Sequence, residues 1–309
     1  MARPPPGTGE KGERNAFFFD VAVVGLGPAG ISAATELVRY GRHVVALEAE
    51  RVGGLVHEAR RVENLPIMVA PGPGRGVVDA LRAHLERLPP RIIAEPVMEV
   101  HLRKGGFELR AGDAPVRCRA VVLATGTRPS RLDVPGEDLP WVAHRWTDLR
   151  GRPPGRVAVV GGGDLAADQA LSLADAGFEV ELLVRSDGLR CNKRLKDELK
   201  GRPTVHIRPK HGVVRFSEGP TVECEGPEGR VGLTVGCALV SIGREPELPP
   251  VFDAKGHRLE PSTILAGEIP GLFPVGDLVA GRRRQVAIAL GSGLDAAMQC
   301  EEYLSGAAP

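Results

Sequence analysis

The 309-residue chain is short of neighbouring cysteines. Cys118, Cys191, Cys224, Cys237 and Cys300 form no C-x-x-C pair and no zinc-ligand spacing, and His57, His84 and the other histidines show no metal pattern. Thiolate-ligated metal sites and a local redox dithiol are therefore excluded as motifs, and the cysteines read as small buried thiols. Long hydrophobic runs are also missing. Nothing approaches the ~18 apolar residues of a membrane-spanning helix, and the opening MARPPPGTGEKGERN lacks the apolar core of a signal peptide. An excess of one charge is absent too: 40 Lys and Arg against 39 Asp and Glu leave a formal net charge of +1. No global field draws the protein to nucleic acid or an anionic membrane. A cytoplasmic protein with neither partner is expected.

What is present is length and hydrophobic content enough for two domains, with 42% of residues hydrophobic. Residues 1–16 are rich in Pro, Gly and charge and read as a disordered lead-in. From Phe17, FFFDVAVVG reads as a buried strand, ISAATELVRYG as a helix closed by Gly41, and HVVALE as a second buried strand. The order recurs in RVAVVGG, DLAADQALSLADAG and FEVELLVR. Each is a βαβ unit and implies a parallel sheet. Further strands are expected at RIIAEPVMEVHL, FELRAG, RCRAVVLATGTRP, VHIRP, VVRF, TVECEG and GCALVSIGREP. The fold class is α/β, with two Rossmann-like three-layer domains.

The first unit carries Gly25-x-Gly27-x-x-Gly30 between strand and helix, where bare backbone lets a pyrophosphate approach the helix N-terminus. Glu48 ends the next strand, placed to bond a ribose 2′-OH. The second unit carries Gly161-x-Gly163-x-x-Ala166, and the same offset from Ala166 falls on Val184, so the ribose-reading carboxylate is missing. Arg185 and Arg190 stand beside it in VRSDGLR, and guanidinium forks in place of an anion suit a 2′-phosphate. Otherwise the arginines are solvated surface, and the site takes NADH or nothing. The pair of sites reads as a fixed FAD and a transient NADPH, exchanging hydride.

These motifs, with GGL followed by ENLP, VVLATGTRPS, VSIGREP, GLFPVGD and the terminal RRRQVAIALGSGLDAAMQCEEYL, carry a resemblance. The chain resembles the low-molecular-weight thioredoxin reductases of the two-dinucleotide-binding flavoprotein superfamily. The resemblance implies an FAD domain formed by 17–116 and 243–309, with an NAD(P)H domain, 117–242, inserted on two β-linkers. It places FAD on Gly25, Gly27, Pro28, Ala29, Gly30, Glu48, Gly54, Asn64, Thr125, Gly126, Gly276, Asp277, Arg284, Gln285 and Val286. Arg284 and Gln285 would begin a helix pointing at the flavin, while Arg282 and Arg283 read as solvated. NADPH would lie on Gly161, Gly163, Asp164, Leu165, Ala166, Arg185, Arg190 and Gly243. A homodimer is implied as well.

The departure falls where those reductases carry C-x-x-C followed by Asp. Here the chain reads His144-Arg145-Trp146-Thr147, with Asp148 keeping the acidic place. His144 as an acid or base, Trp146 as a stacking ring and Asp148 as a proton relay are the candidate catalytic residues. The alternative is that they fill space left by a lost site. Val184 and Ser186 also replace the His and Arg common in the basic motif. The expected activity is FAD-dependent, NADPH-linked electron transfer to a non-dithiol acceptor such as ferredoxin, flavodoxin or a quinone. Two other readings stay open: a flavoprotein fed by a protein partner without NADPH, and a non-catalytic flavin-binding sensor or assembly subunit. No metal is expected.

Overall fold

The computed structural model describes residues 17–68 and 72–306. The expectation for 1–16 lies outside the described residues. The chain divides into two compact units, one formed by 1–56, 78–126 and 247–309, the other by 57–77 and 127–246.

In the first unit the strand Phe17–Val24 sits centrally, parallel to Val44–Leu47 on one side and to Ala114–Leu123 on the other. Val21, Ala22 and Val23 have no exposed surface, as a strand covered on both faces requires. Arg91–Ile93 extends the parallel edge, and Leu272–Pro274 pairs in parallel with Ala114–Leu123. One face is covered by helices Pro28–Arg39 and Val286–Ser305, whose Ile31, Leu37, Ala297 and Cys300 join Val21 and Val23 in one core cluster. The opposite cluster joins Phe19, Ala22 and Leu123 to Phe107 and Leu109 of the antiparallel strand Gly106–Ala111, with Ile264 of the short helix Pro261–Leu265.

The second unit has a five-stranded parallel sheet in the order Val205–Pro209, Glu179–Val184, Arg156–Val160, Cys237–Val240, Val142–Ala143. Helices Asp164–Asp175 and Lys193–Lys200 bury Ala167, Leu171 and Leu199 against one face. An antiparallel sheet of Gly212–Ser217, Thr221–Gly226 and Gly229–Thr234 buries Phe216, Val222 and Leu233 against the other. Both units are three-layer α/β.

Thr127–Pro129 and Arg244–Pro246 pair antiparallel, forming the two expected β-linkers. The expected boundaries need correction. A break at 116/117 would cut Ala114–Leu123, which pairs with Phe17–Val24 almost throughout its length, so the chain leaves the first sheet only after Gly126. The return falls after Pro246 rather than at 243, because Arg244–Pro246 completes the linker ladder. Segment 57–77, assigned from sequence to the first domain, groups with the second unit. Arg60 holds it there: its guanidinium contacts Asp175 at 2.6 Å and Glu198 at 2.7 Å, and its N–H donates to Asp168 at 3.2 Å.

Candidate functional site

Two glycine turns of the same design begin the two main helices. In the first, the Gly25 N–H donates to Leu47 O at 2.7 Å and the Ala124 N–H donates to Val24 O at 2.8 Å. A Cβ on Gly25 would lie 2.5 Å from Ala124 O, and φ there is +92°. A Cβ on Gly30 would lie 1.8 Å from Gly25 O. Neither position accepts a side chain. Gly27 differs, because a Cβ there meets nothing within 4 Å. The open side of the turn is therefore backbone N–H and space at the N-terminus of a helix that starts with Pro28, the arrangement that suits a pyrophosphate.

Other expected residues gather around this turn. Gly54, at φ +53°, lies against Gly27, its Cβ position 3.2 Å from Gly27 Cα. The Cβ position of Gly276 is 2.8 Å from the Ala29 methyl, and the Gly276 N–H donates to Ser292 Oγ at 3.0 Å. Asp277 follows on the short turn Gly276–Leu278. Thr125 Oγ1 donates to Glu247 O, and Gly126 takes φ +69°, where the chain leaves the strand. The C-terminal helix starts at Val286 with extended Gln285 as its N-cap, so Arg284 and Gln285 precede the helix rather than begin it. Arg282 and Arg283 are exposed, as expected. Sequence reasoning missed Gly293, whose Cβ position is 2.1 Å from Ala29 O and which lets the two helices touch at backbone distance. Its signal was a second glycine within a helical run.

Glu48 points back at the turn. Its Oε2 accepts the Leu26 N–H at 2.6 Å, and Oε1 accepts the N–H groups of Glu50 and Arg51 at 2.9 and 3.1 Å. A carboxylate offers about four acceptor sites, so room for a further donor remains. Asn64 belongs to the second unit, in segment 57–77.

The second turn repeats the first. Gly161 N–H donates to Leu183 O at 2.9 Å and Ser241 N–H to Val160 O at 2.8 Å. A Cβ on Gly161 would lie 2.2 Å from Ser241 O, whereas one on Gly163 meets nothing within 4 Å. Leu183 thus corresponds to Leu47, and Val184 to Glu48. Val184 is 1% exposed, with Cγ1 2.8 Å from the Cβ position of Gly162. The loop after it folds back on the turn: Arg190 N–H donates to Gly162 O at 2.7 Å, and the Asp164 carboxylate accepts Asn192 N–H at 2.8 Å. Arg185 and Arg190 are exposed on that loop. Leu165 and Ala166 lie in the helix's first turn, and Gly243, at φ +134°, leads into the linker strand, its C=O accepting the Ser130 N–H at 3.0 Å.

In the segment His144–Asp148, His144 Nε2 lies 2.9 Å from Glu137 Oε1. Trp146 packs on the second unit's helix-side core, and Asp148 is exposed on the short turn Trp146–Leu149. Arg145 lies 3.5 Å from the Glu58 carboxylate. All five cysteines are free and buried, and burial pushes the thiols of Cys118 and Cys300 up to about 12. No group of residues able to hold a metal occurs among the described residues. Nor is any helix among them long and apolar enough to cross a membrane.

Two Rossmann-type units, one inserted in the other and each with an open glycine turn, define an oxidoreductase of the thioredoxin reductase-like flavoprotein class. A family model for pyridine nucleotide-disulphide oxidoreductases matches residues 19–293, and the chain belongs to that family. It is 29% identical to NADPH-dependent thioredoxin reductase 3 of Arabidopsis thaliana, over 93% of this chain and 58% of the plant protein. Identity to the thioredoxin reductase of Yarrowia lipolytica is also 29%, over 92% of this chain and 98% of that one. The crystal structure of Lactococcus lactis thioredoxin reductase shares the fold with a TM-score of 0.81 at 21% identity, over 93% of this chain and 99% of that one. Bacillithiol disulfide reductase from Bacillus cereus shares it with a TM-score of 0.75 at 17% identity, over 92% of this chain and 99% of that one.

Proposed function

We infer that the protein is an FAD-dependent, NADPH-linked oxidoreductase that passes electrons through flavin to a non-dithiol acceptor: ferredoxin, flavodoxin, a quinone or another small molecule. One observation carries the reading: the two turns share their open glycine, Gly27 or Gly163, yet differ at the ribose-reading position, Glu48 against Val184. The chain is built to hold two unlike dinucleotides. A bound flavin supplies the chemistry of accepting a hydride and releasing two electrons together or singly. The turn at Gly25–Gly30 and the helix N-terminus hold the FAD pyrophosphate, and Glu48 accepts from its ribose. Arg185 and Arg190 grip the 2′-phosphate of NADPH. The N-terminus of Val286–Ser305 would supply partial positive charge to a bound flavin.

The non-dithiol part of the reading is supported by the burial of every cysteine and by the absence of any C-x-x-C in the sequence. A second copy of the chain as partner is supported by exposed Ile288, Leu294 and Met298 on the terminal helix. The test is anaerobic stopped flow of the purified yellow protein. NADPH is expected to bleach the flavin faster than NADH, and the reduced protein to reduce ferricyanide or a quinone but not thioredoxin. FMN in place of FAD, or no bleaching by either nucleotide, overturns the reading. Flavin without bleaching favours a protein-fed or sensor role.

A further inference from the structure

Arg190 is tied to the second glycine turn by its own backbone. Its N–H donates to Gly162 O at 2.7 Å, the same bond that the Gly53 N–H makes to Leu26 O, also at 2.7 Å, in the first unit. What arrives at the turn therefore differs: a bare glycine there, a guanidinium-bearing residue here. The loop that carries Arg190 is anchored at both ends. At its start Val184 O accepts the His211 N–H at 3.1 Å and Ser186 O the Lys210 N–H at 3.0 Å, so Arg185 is placed by the sheet it leaves. The far end rests on side chains. Asp164 Oδ1 accepts the backbone N–H of Asn192 at 2.8 Å and its Nδ2 at 3.2 Å. Asn192 Oδ1 in turn accepts the Leu195 N–H at 3.1 Å and caps the helix Lys193–Lys200. One side-chain amide thus joins the first residues of two helices, its donor on Asp164 and its acceptor on the next helix, with Arg190 two residues before it.

On charge alone a carboxylate is misplaced here. Asp164 opens the helix Asp164–Asp175 at a turn that suits an anionic pyrophosphate, and a fixed negative charge beside that anion opposes it. We propose that Asp164 is a positioning residue for recognition of the 2′-phosphate: through Asn192 it latches the loop end, so that Arg190 stands ready at the turn before a nucleotide arrives. The proposal rests on the NADPH reading above and deepens it by naming the group that sets discrimination against nucleotides without that phosphate. With the latch open, the loop has to be ordered each time Arg190 meets the phosphate. That ordering is charged against binding of the 2′-phosphate. A nucleotide that lacks the phosphate makes no use of Arg190 and escapes the penalty.

The test uses the full-length protein saturated with FAD and titrates it by calorimetry with adenosine 2′,5′-bisphosphate and with 5′-AMP, which differ only in the 2′-phosphate. Asp164 and Asn192 are exposed, so the variants touch no core, and Ala is a good helix former at 164. In Asp164→Ala the preference for the bisphosphate should fall about fivefold, less than the tenfold or more expected for losing the guanidinium grip itself. Asp164→Asn keeps an oxygen for the Asn192 N–H and should retain most of the preference. Charge alone makes the opposite forecast, because both variants remove an anion and would tighten phosphate binding equally. A second readout needs no ligand: with ¹⁵N-arginine labelling and the Arg190 amide assigned by its loss in Arg190→Lys, hydrogen exchange at Arg190 should quicken about fivefold in Asp164→Ala, although its acceptor Gly162 O is untouched. Unchanged exchange at Arg190, equal losses on both nucleotides, or a preference in Asp164→Ala that holds or rises overturns the latch and leaves the NADPH reading standing. A wild type that binds the two nucleotides alike removes the NADPH reading and this role of Asp164 with it.

Discussion

The two glycine turns hydrogen-bond to their sheets in the same way and then diverge at the third position of the motif. Gly30 leaves no room for a methyl, since a Cβ would meet Gly25 O at 1.8 Å. Ala166, at the matching place, carries one, and it lies 2.9 Å from the Cβ position of Gly161. The first helix therefore sits closer to its turn than the second does. The first turn also keeps a polar rim, with Glu48 collecting three backbone donors, where the second has a buried methyl group at Val184. A tight, carboxylate-lined turn suits a cofactor that stays. A looser one bordered by exposed arginines suits a nucleotide that comes and goes.

The largest expected effect breaks the comparison at the third position. Gly30→Ala forces a methyl into a carbonyl and should cost about 3 kcal/mol of stability, the upper end of overpacking penalties, with loss of bound flavin. Ala166→Gly only adds backbone freedom to a helix and should cost about 1 kcal/mol. Urea unfolding with flavin content measured alongside checks both. Equal costs would show that the two helices sit alike.

Next in size is the Arg185→Ala and Arg190→Ala double variant. Losing the charge-assisted grip on the phosphate is worth about 1.5–3 kcal/mol in all, so the NADPH over NADH preference should shrink tenfold or more, through a raised NADPH requirement. Full retention of the preference in flavin-bleaching rates would make both arginines solvated surface. Glu48→Ala should weaken FAD by roughly 1–3 kcal/mol, measured by flavin release in ultrafiltration. That variant also strips the N–H groups of Leu26, Glu50 and Arg51 of their acceptor, so Glu48→Gln, which keeps an oxygen, should lose less.

Much of this architecture was legible because it is local. Both turns, both helices that follow them and the equivalence of Glu48 with Val184 depend on strand length and motif spacing, and the bonds from Gly25 to Leu47 and from Gly161 to Leu183 confirm that count. The strand Gly229–Thr234 and the helix Lys193–Lys200 went unread, since neither carries a strong apolar pattern. Asn192 was the helix's sequence signal: its side chain accepts the Leu195 N–H at 3.1 Å. The placement of 57–77 was not legible, because Arg60 finds Asp175 and Glu198 far along the chain. Glu137 was missed for a related reason. In PGED it reads as a turn acid, and only the left-handed residues Asp133 and Gly136 turn it inward.

The smallest expected effect concerns thiols, where the two units differ in degree. A thiolate is the reactive form, and burial disfavours it. Cys118 and Cys300 in the first unit are pushed up to about 12, and Cys224 in the second to about 11, also by burial. For a group at 12 the thiolate fraction at pH 8 is about 10⁻⁴, against about a quarter for an ordinary thiol near 8.5. Native protein should therefore react with iodoacetamide only slowly at pH 8, first-unit thiols last, with rates rising about tenfold per pH unit until the buried pKa is reached. Replacing all five buried cysteines, with flavin content and thermal melting showing that the fold survives, should leave quinone and ferricyanide reduction largely intact, because no sulfur lies on the proposed electron path. Two cysteines that become rapidly labelled once NADPH is added would mean that folding assembles a dithiol from distant thiols. In that case electrons would leave through sulfur, and the contrast between a tight FAD turn and a loose NADPH turn would describe a disulfide reductase.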